Sequence, residues 1–237
     1  MWVHYRLQCR DIVRLLKLSS QVKSAWIMCF LRDMSPESAM EHYLAALPYR
    51  DMIVGIGLDS NEDGRPPKLF DKVFTRARAD GFHITAHCDV GRTYPVEHVR
   101  QTLSDIGGTG ADRIDHGLNV VESPELMDAI RDKGVGMTIC PWSYIRHQPM
   151  DEVFARIRTL YGRGIKMSIS SDDPAFMEDT WVWENLLVIK KYCDFADEDI
   201  LKIIKGAVEM CWAAEDVKNE ILDEMAEIAK RYSVGWT

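Results

Sequence analysis

Apolar positions along this chain fall into two alternating patterns. Short runs of small and apolar residues without helical period occur at Trp26 to Leu31 (WIMCFL), Met52 to Leu58 (MIVGIGL) and Phe82 to His87 (FHITAH). Three more lie at Arg113 to His116, Gly136 to Cys140 and Ile165 to Ser170. Each reads as a strand. Between them the spacing turns helical: Asp11 to Leu18, Lys68 to Ala79, Val96 to Ile106, Pro124 to Lys133 and Val153 to Tyr161. Ser35-Pro36-Glu37 has the form of a helix start, with Ser as N-cap, Pro at the first position and Glu in the first turn, and that helix is expected to reach about Leu47. From Asp197 onward Ile200, Leu201, Ile204, Val208, Cys211 and Trp212, then Val217, Ile221, Leu222, Met225 and Ile228, recur at helical spacing.

Strands separated by helices in this way are the signature of parallel βα repeats. No Gly-x-Gly-x-x-Gly follows any strand, so a dinucleotide-binding sheet loses its main support. In a (β/α) barrel the reactive residues sit at the C-terminal strand ends. His87, His116, Cys140-Pro141 and Asp172-Asp173 all stand at such ends. The expected fold is therefore α/β, a (β/α) barrel forming a single domain over residues 1–237, with the last helices covering one side or the bottom.

Composition narrows the chemistry. With 237 residues and 46% hydrophobic content the chain can bury one large core. A net charge of −8 with no basic block argues against a nucleic-acid partner. The six cysteines are far apart with no CxxC, which suits free thiols in a reducing compartment. The apolar run Ser24 to Leu31 is too short to span a bilayer, and Met1 to Arg6 lacks the order of a signal peptide, so the cytoplasm is the expected location and no membrane the expected partner.

The adjacent carboxylates Asp172 and Asp173 repel one another unless a cation, a proton or a basic substrate atom separates them. A neutral imidazole at His87 and the carboxylate of Asp172 are a usual pair of Zn²⁺ ligands, although a catalytic zinc needs at least three protein ligands and a water. Taken alone, His87 reads first as a core or loop histidine. His83 lies four residues earlier, roughly 13 Å away along a strand, and is not expected to be a ligand. His116, before Gly117, suits orienting or deprotonating a metal-bound water, or a hydrogen bond to a loop. Asp115 is expected to pair with a cation or cap a turn. Cys140 reads as a buried structural thiol with no partner histidine implied nearby. His4, His42 and His98 are expected at the surface.

Taken together, these strand ends resemble the adenosine/adenine deaminase family of the amidohydrolase superfamily, zinc-dependent (β/α)₈ barrels. The matching pieces stand in the family's order: Gly57-Leu58-Asp59-Ser60-Asn61-Glu62, then His87, Arg113-Ile114-Asp115-His116-Gly117, Cys140-Pro141-Trp142-Ser143 and Ser171-Asp172-Asp173-Pro174. The similarity is closest to the adenine-deaminase branch, which has GLDS where typical adenosine deaminases have DLAG. The resemblance implies Zn²⁺ held by His87 and Asp172, with His116 positioning and helping to deprotonate the attacking water. It also implies Asp173 holding a purine ring nitrogen and Ser60, beside Asp59, near the other edge of the base. The reaction implied is hydrolytic loss of ammonia from an aminopurine.

Two departures qualify that implication. The family's His-x-His, which supplies its first zinc ligands, occurs nowhere in these 237 residues. The matching region begins in what would be the helix before strand three, so an incomplete barrel of about six strands, weakly held zinc and self-association through open edges are expected. The family's general-acid Glu falls at Val90 in His87-Cys88-Asp89-Val90; Asp89, one residue early, is the candidate replacement. A catalytically impaired relative that binds a purine weakly, or takes an interaction role, is the alternative, and another amidohydrolase reaction the third option.

Overall fold

The computed structural model describes residues 25–88 and 95–236. Six strands form one sheet in sequential order: β1 (Trp26–Leu31), β2 (Ile53–Asp59), β3 (His83–Cys88), β4 (Arg113–His116), β5 (Gly136–Ile139) and β6 (Met167–Ile169). Every neighbouring pair is parallel. Parallel neighbours need a crossover, and helices supply it. They are α1 (Pro36–Ala46), α2 (Asp71–Ala79), α3 (Pro95–Ser104), α4 (Pro124–Lys133), α5 (Pro141–Ile145) and α6 (Met150–Gly162). The chain ends with α7 (Val182–Tyr192), α8 (Asp197–Met210) and α9 (Glu215–Arg231). Among the described residues β1 and β6 do not pair, so the array is a barrel left open, as the family resemblance implies. The helix expected at Asp11 to Leu18 lies outside the described residues.

Local chemistry sets most boundaries. Ser35 caps α1 by accepting the Ser38 N–H at 3.1 Å. Ser123 caps α4 in the same way, and Gly134 ends it in left-handed backbone at φ 71°. The helix expected from Lys68 begins instead with a 3₁₀ turn, Pro67–Phe70, because the prolines at 66 and 67 withhold donors there. The single helix expected after Asp197 is broken at Cys211, dividing it into α8 and α9. Two helices, α5 and α7, were not expected at all. Among the described residues no helix is long and apolar enough to cross a membrane.

Strand alternation gives the sheet two different faces. Ile56, Leu58, Ile84, Ala86, Ile114, Met137 and Ile139 are buried in one core cluster with Phe70, Phe74, Val99, Leu103, Ile130 and Phe154 from the surrounding helices and turns. The other face is polar. Thr85 Oγ1 and Thr138 Oγ1 donate to the two oxygens of Asp115 at 2.6 and 2.9 Å, and Arg113 Nε lies 3.1 Å from Asp115 Oδ1. Asp115 thus pairs with a cation, as expected.

The chain returns to close the N-terminal end of the strands. Trp212 lies against Gly55, stacks on His83 with centroids 4.8 Å apart, and sits under the Arg113 guanidinium at 4.4 Å. His83 therefore points away from the strand ends that carry the chemistry. Gly110 is the tightest turn: φ is +82°, and a Cβ there would overlap the Leu103 carbonyl. Gly110→Ala is expected to lower stability by more than about 1 kcal/mol, read as a lower urea midpoint with unchanged slope.

Candidate active site

The C-terminal strand ends bring together residues from β3, β4, β5 and the turn after β6. The rings of His87 and His116 meet edge to face with centroids 4.3 Å apart. His116 Nε2 is 3.8 Å from Asp172 Oδ2, and its Nδ1 is 3.1 Å from Tyr144 Oη on α5. One ligand atom each from His116, Cys140 and Asp172 all lie within 4.8 Å of one another. Backbone conformation aims these groups. His116 has φ 64° and Asp172 φ 58°, left-handed values that L-residues adopt at a cost of roughly 1–3 kcal/mol. In β4 alternation would put His116 on the helix-facing side with Ile114; the reversed φ breaks that alternation and leaves the ring against His87.

Electrostatics divide the two imidazoles. His87 Nδ1 lies 2.6 Å from Oε1 of the buried Glu62, whose other oxygen is 3.1 Å from His98 Nδ1. Burial pushes the His87 pKa down, but the hydrogen bond and charge of Glu62 outweigh it, and the net direction is up. With Nδ1–H donating to Glu62, His87 keeps Nε2 for another partner, the arrangement typical of metal-binding histidines. His116 goes the other way: burial first, then the neighbouring His87, push its pKa down to about 4. It stays a neutral imidazole at ordinary pH.

A fully buried guanidinium braces this end of the sheet. Arg32, just past β1, donates to the carbonyl of His87 at 2.6 Å and to that of Arg65 at 3.0 and 2.7 Å. Its NH1 is 3.9 Å from Glu62 Oε1. It therefore fixes the strand end that carries His87 to the loop that carries Glu62.

Of the residues singled out in the sequence, His87, His116 and Asp172 converge. Asp59 ends β2, and its charge reaches His87. Burial raises the Asp59 pKa, against a hydrogen bond with Cys29. Ser60 (φ 78°) and Asp173 are exposed on the rim. Asp89 and Val90 lie outside the described residues, as does His4. Two expectations are corrected. Cys140 is buried as expected, yet it does have a histidine beside it, because pairing of β4 with β5 brings the ends of those strands side by side. His98 is buried, not at the surface, because it is held on Glu62; His42 is half-buried against Ser38. Sequence reasoning missed Glu62, Arg32 and Tyr144 as parts of the site. The available signal was a charged residue just past each of two buried strands, Arg32 after β1 and Glu62 after β2, where charge is costly without a partner.

An open, singly wound parallel sheet with its polar groups at the C-terminal strand ends is the metal-dependent hydrolase form of the (β/α) barrel, incomplete in this chain. The family model described as "Adenosine deaminase" matches residues 14–228, and the chain belongs to that family. An uncharacterised deaminase from Schizosaccharomyces pombe is 38% identical over 211 residues, covering 89% of this chain and 61% of that protein. An adenine deaminase from Psychrobacter cryohalolentis is 32% identical, covering 86% and 60%. The solved adenine deaminase from Arthrobacter aurescens superposes with TM-score 0.80 at 30% identity, over 88% of this chain and 62% of that one. An amidohydrolase from Burkholderia ambifaria, solved with bound Zn, gives TM-score 0.84 at 26% identity over 93% and 61%. The chain thus spans about 60% of the length of the curated relatives it matches.

Proposed function

We propose that this chain is the C-terminal portion of a zinc-dependent hydrolytic deaminase of adenine or a related aminopurine. The observation that carries the reading is the convergence of His87, His116 and Asp172 at one mouth of the strand array. An imidazole and a carboxylate are usual donors to a divalent cation, and His87, with Nδ1 engaged by Glu62, has its other nitrogen available. His87 and Asp172 would hold the ion, which when bound lowers the pKa of its water and supplies a nucleophile near neutral pH. His116, neutral because it is buried, would orient that water and accept a proton at Nε2. Asp173, on the rim, accepts from a purine ring N–H, and Ser60 with Asp59 faces the opposite edge of the base. Asp89 is the candidate proton donor to the ring.

A second reading, purine binding without turnover, is favoured by Val90 standing at the general-acid position. In that reading the outer edges of β1 and β6, unpaired among the described residues, serve self-association.

Ammonia release from adenine, adenosine and N6-substituted purines by the zinc-supplemented chain, with calorimetric purine binding alongside, tests both. Release of ammonia supports the first reading and binding without release the second; neither binding nor release overturns both. Asp173→Ala is expected to weaken purine binding about 10- to 100-fold, the loss of one hydrogen bond to a charged group.

A further inference from the structure

A tetrahedral zinc ion places its ligand atoms roughly 3.3–3.8 Å apart, given bonds near 2.0–2.3 Å. The His116–Asp172 separation of 3.8 Å already meets that spacing, and Cys140 Sγ closes a triangle within 4.8 Å. His116 and Cys140 are each 4% exposed, so water competes poorly for them. Two further contacts prepare these groups as ligands. With Nδ1–H donating to Tyr144 Oη, His116 turns the lone pair of Nε2 toward Asp172. The backbone N–H of Asp172 donates to the Cys140 sulfur and holds it beside that carboxylate; burial and the charges of Asp172 and Asp115 keep the thiol protonated, so its proton leaves only when a metal ion takes the sulfur.

We propose that His116, Cys140 and Asp172 form a thiolate-containing site for a single divalent transition-metal ion, distinct in its donors from the pairing of His87 with Asp172. The inference goes beyond the deaminase reading and shares with it only Asp172 as a ligand. The charges balance: one thiolate, one carboxylate and one neutral imidazole neutralise a 2+ ion. Forming the metal–sulfur bond breaks the S–H bond, and the thiol proton leaves to solvent. Nothing is oxidised or reduced. Sulfur and nitrogen donors select Zn²⁺, Co²⁺ or Cd²⁺ over Mg²⁺ and Ca²⁺, which prefer oxygen. An ion held here occupies His116 Nε2, so a chain loaded in this way has lost its proton acceptor.

The test is Co²⁺ titration of the full chain, followed by its visible and near-ultraviolet spectrum. One Co²⁺ per chain is expected, with the intense sulfur-to-cobalt charge-transfer absorption, unaffected by excess Mg²⁺. The absorption is expected to vanish in Cys140→Ser and to persist in His87→Gln. Tyr144→Phe is expected to weaken binding about 10- to 100-fold. Binding without the sulfur band, no binding, an unchanged band in Cys140→Ser, or loss of the band in a folded His87→Gln would each overturn the assignment. Should Cys140→Ser fail to fold, zinc K-edge absorption on the unaltered chain decides: sulfur scattering near ~2.3 Å supports the site, and only nitrogen and oxygen scattering removes it. Purine binding and ammonia release judge the deaminase reading separately, since a sulfur-bound ion in a chain that binds no purine would sink that reading and leave this one standing.

Discussion

Arg32→Met is expected to destabilise the protein by about 3–5 kcal/mol, the cost of breaking a buried charge arrangement from one side. The guanidinium is fully buried and Glu62 nearly so, at 0% and 3% side-chain exposure. Burial lowers the Arg32 pKa, and the charge of Glu62 opposes this most strongly. Removing Arg32 takes the donors from the His87 and Arg65 carbonyls and the nearby cationic charge from Glu62. Methionine fills the volume but supplies none of these. Urea unfolding checks the prediction: the midpoint falls while the slope stays constant. A loss below about 1 kcal/mol would show that Arg32 does not brace the site. The paired replacement Arg32→Met with Glu62→Leu is expected to cost less than the sum of the two single changes, because the attraction between the two charges is lost once in the pair and counted twice in the sum.

That brace shows which parts of the molecule were readable in the sequence. The strands were, because apolar runs bounded by polar ends follow from local pattern: Trp26–Leu31, Arg113–His116 and the helix Pro124–Lys133 match residue for residue. Helix starts were readable where a side chain caps them, as Ser35 does. The short α5 was hidden inside a five-residue stretch too brief for helical period to emerge. His87, His116 and Asp172 were readable because each stands at a strand end, and a parallel array collects such ends at one mouth. The partners of these groups were not. Glu62 reaches His87 across 25 residues, and Tyr144 reaches His116 across 28. Residue type and spacing carry no information about such pairings until the register between strands is known. Cys140 is buried as expected, but its neighbours were hidden for the same reason: His116 and Asp172 come from other elements.

Asp172→Asn is expected to lower divalent-metal affinity more than 100-fold. The argument starts from the backbone. Asp172 holds φ 58°, a conformation that Asn tolerates and most residues do not, so the turn after β6 and its N–H to Cys140 persist in the variant. Only the charge and one oxygen donor change. Partners that merely orient a ligand already carry about 10–100-fold in affinity, and a direct anionic ligand carries more. The loss is measured by competition with a chromogenic chelator. Thermal unfolding gives a second readout: a ligand present at 100 times its Kd stabilises the folded state by about 2.7 kcal/mol, which Asp172→Asn is expected to forfeit at the same metal concentration. Asp172 is common to the pairing with His87 and to the triad with His116 and Cys140, so this variant addresses both. Unchanged metal affinity in a folded Asp172→Asn protein would remove both arrangements together. A large loss, combined with the sulfur band and its response to Cys140→Ser, separates them, because only the triad requires the thiolate.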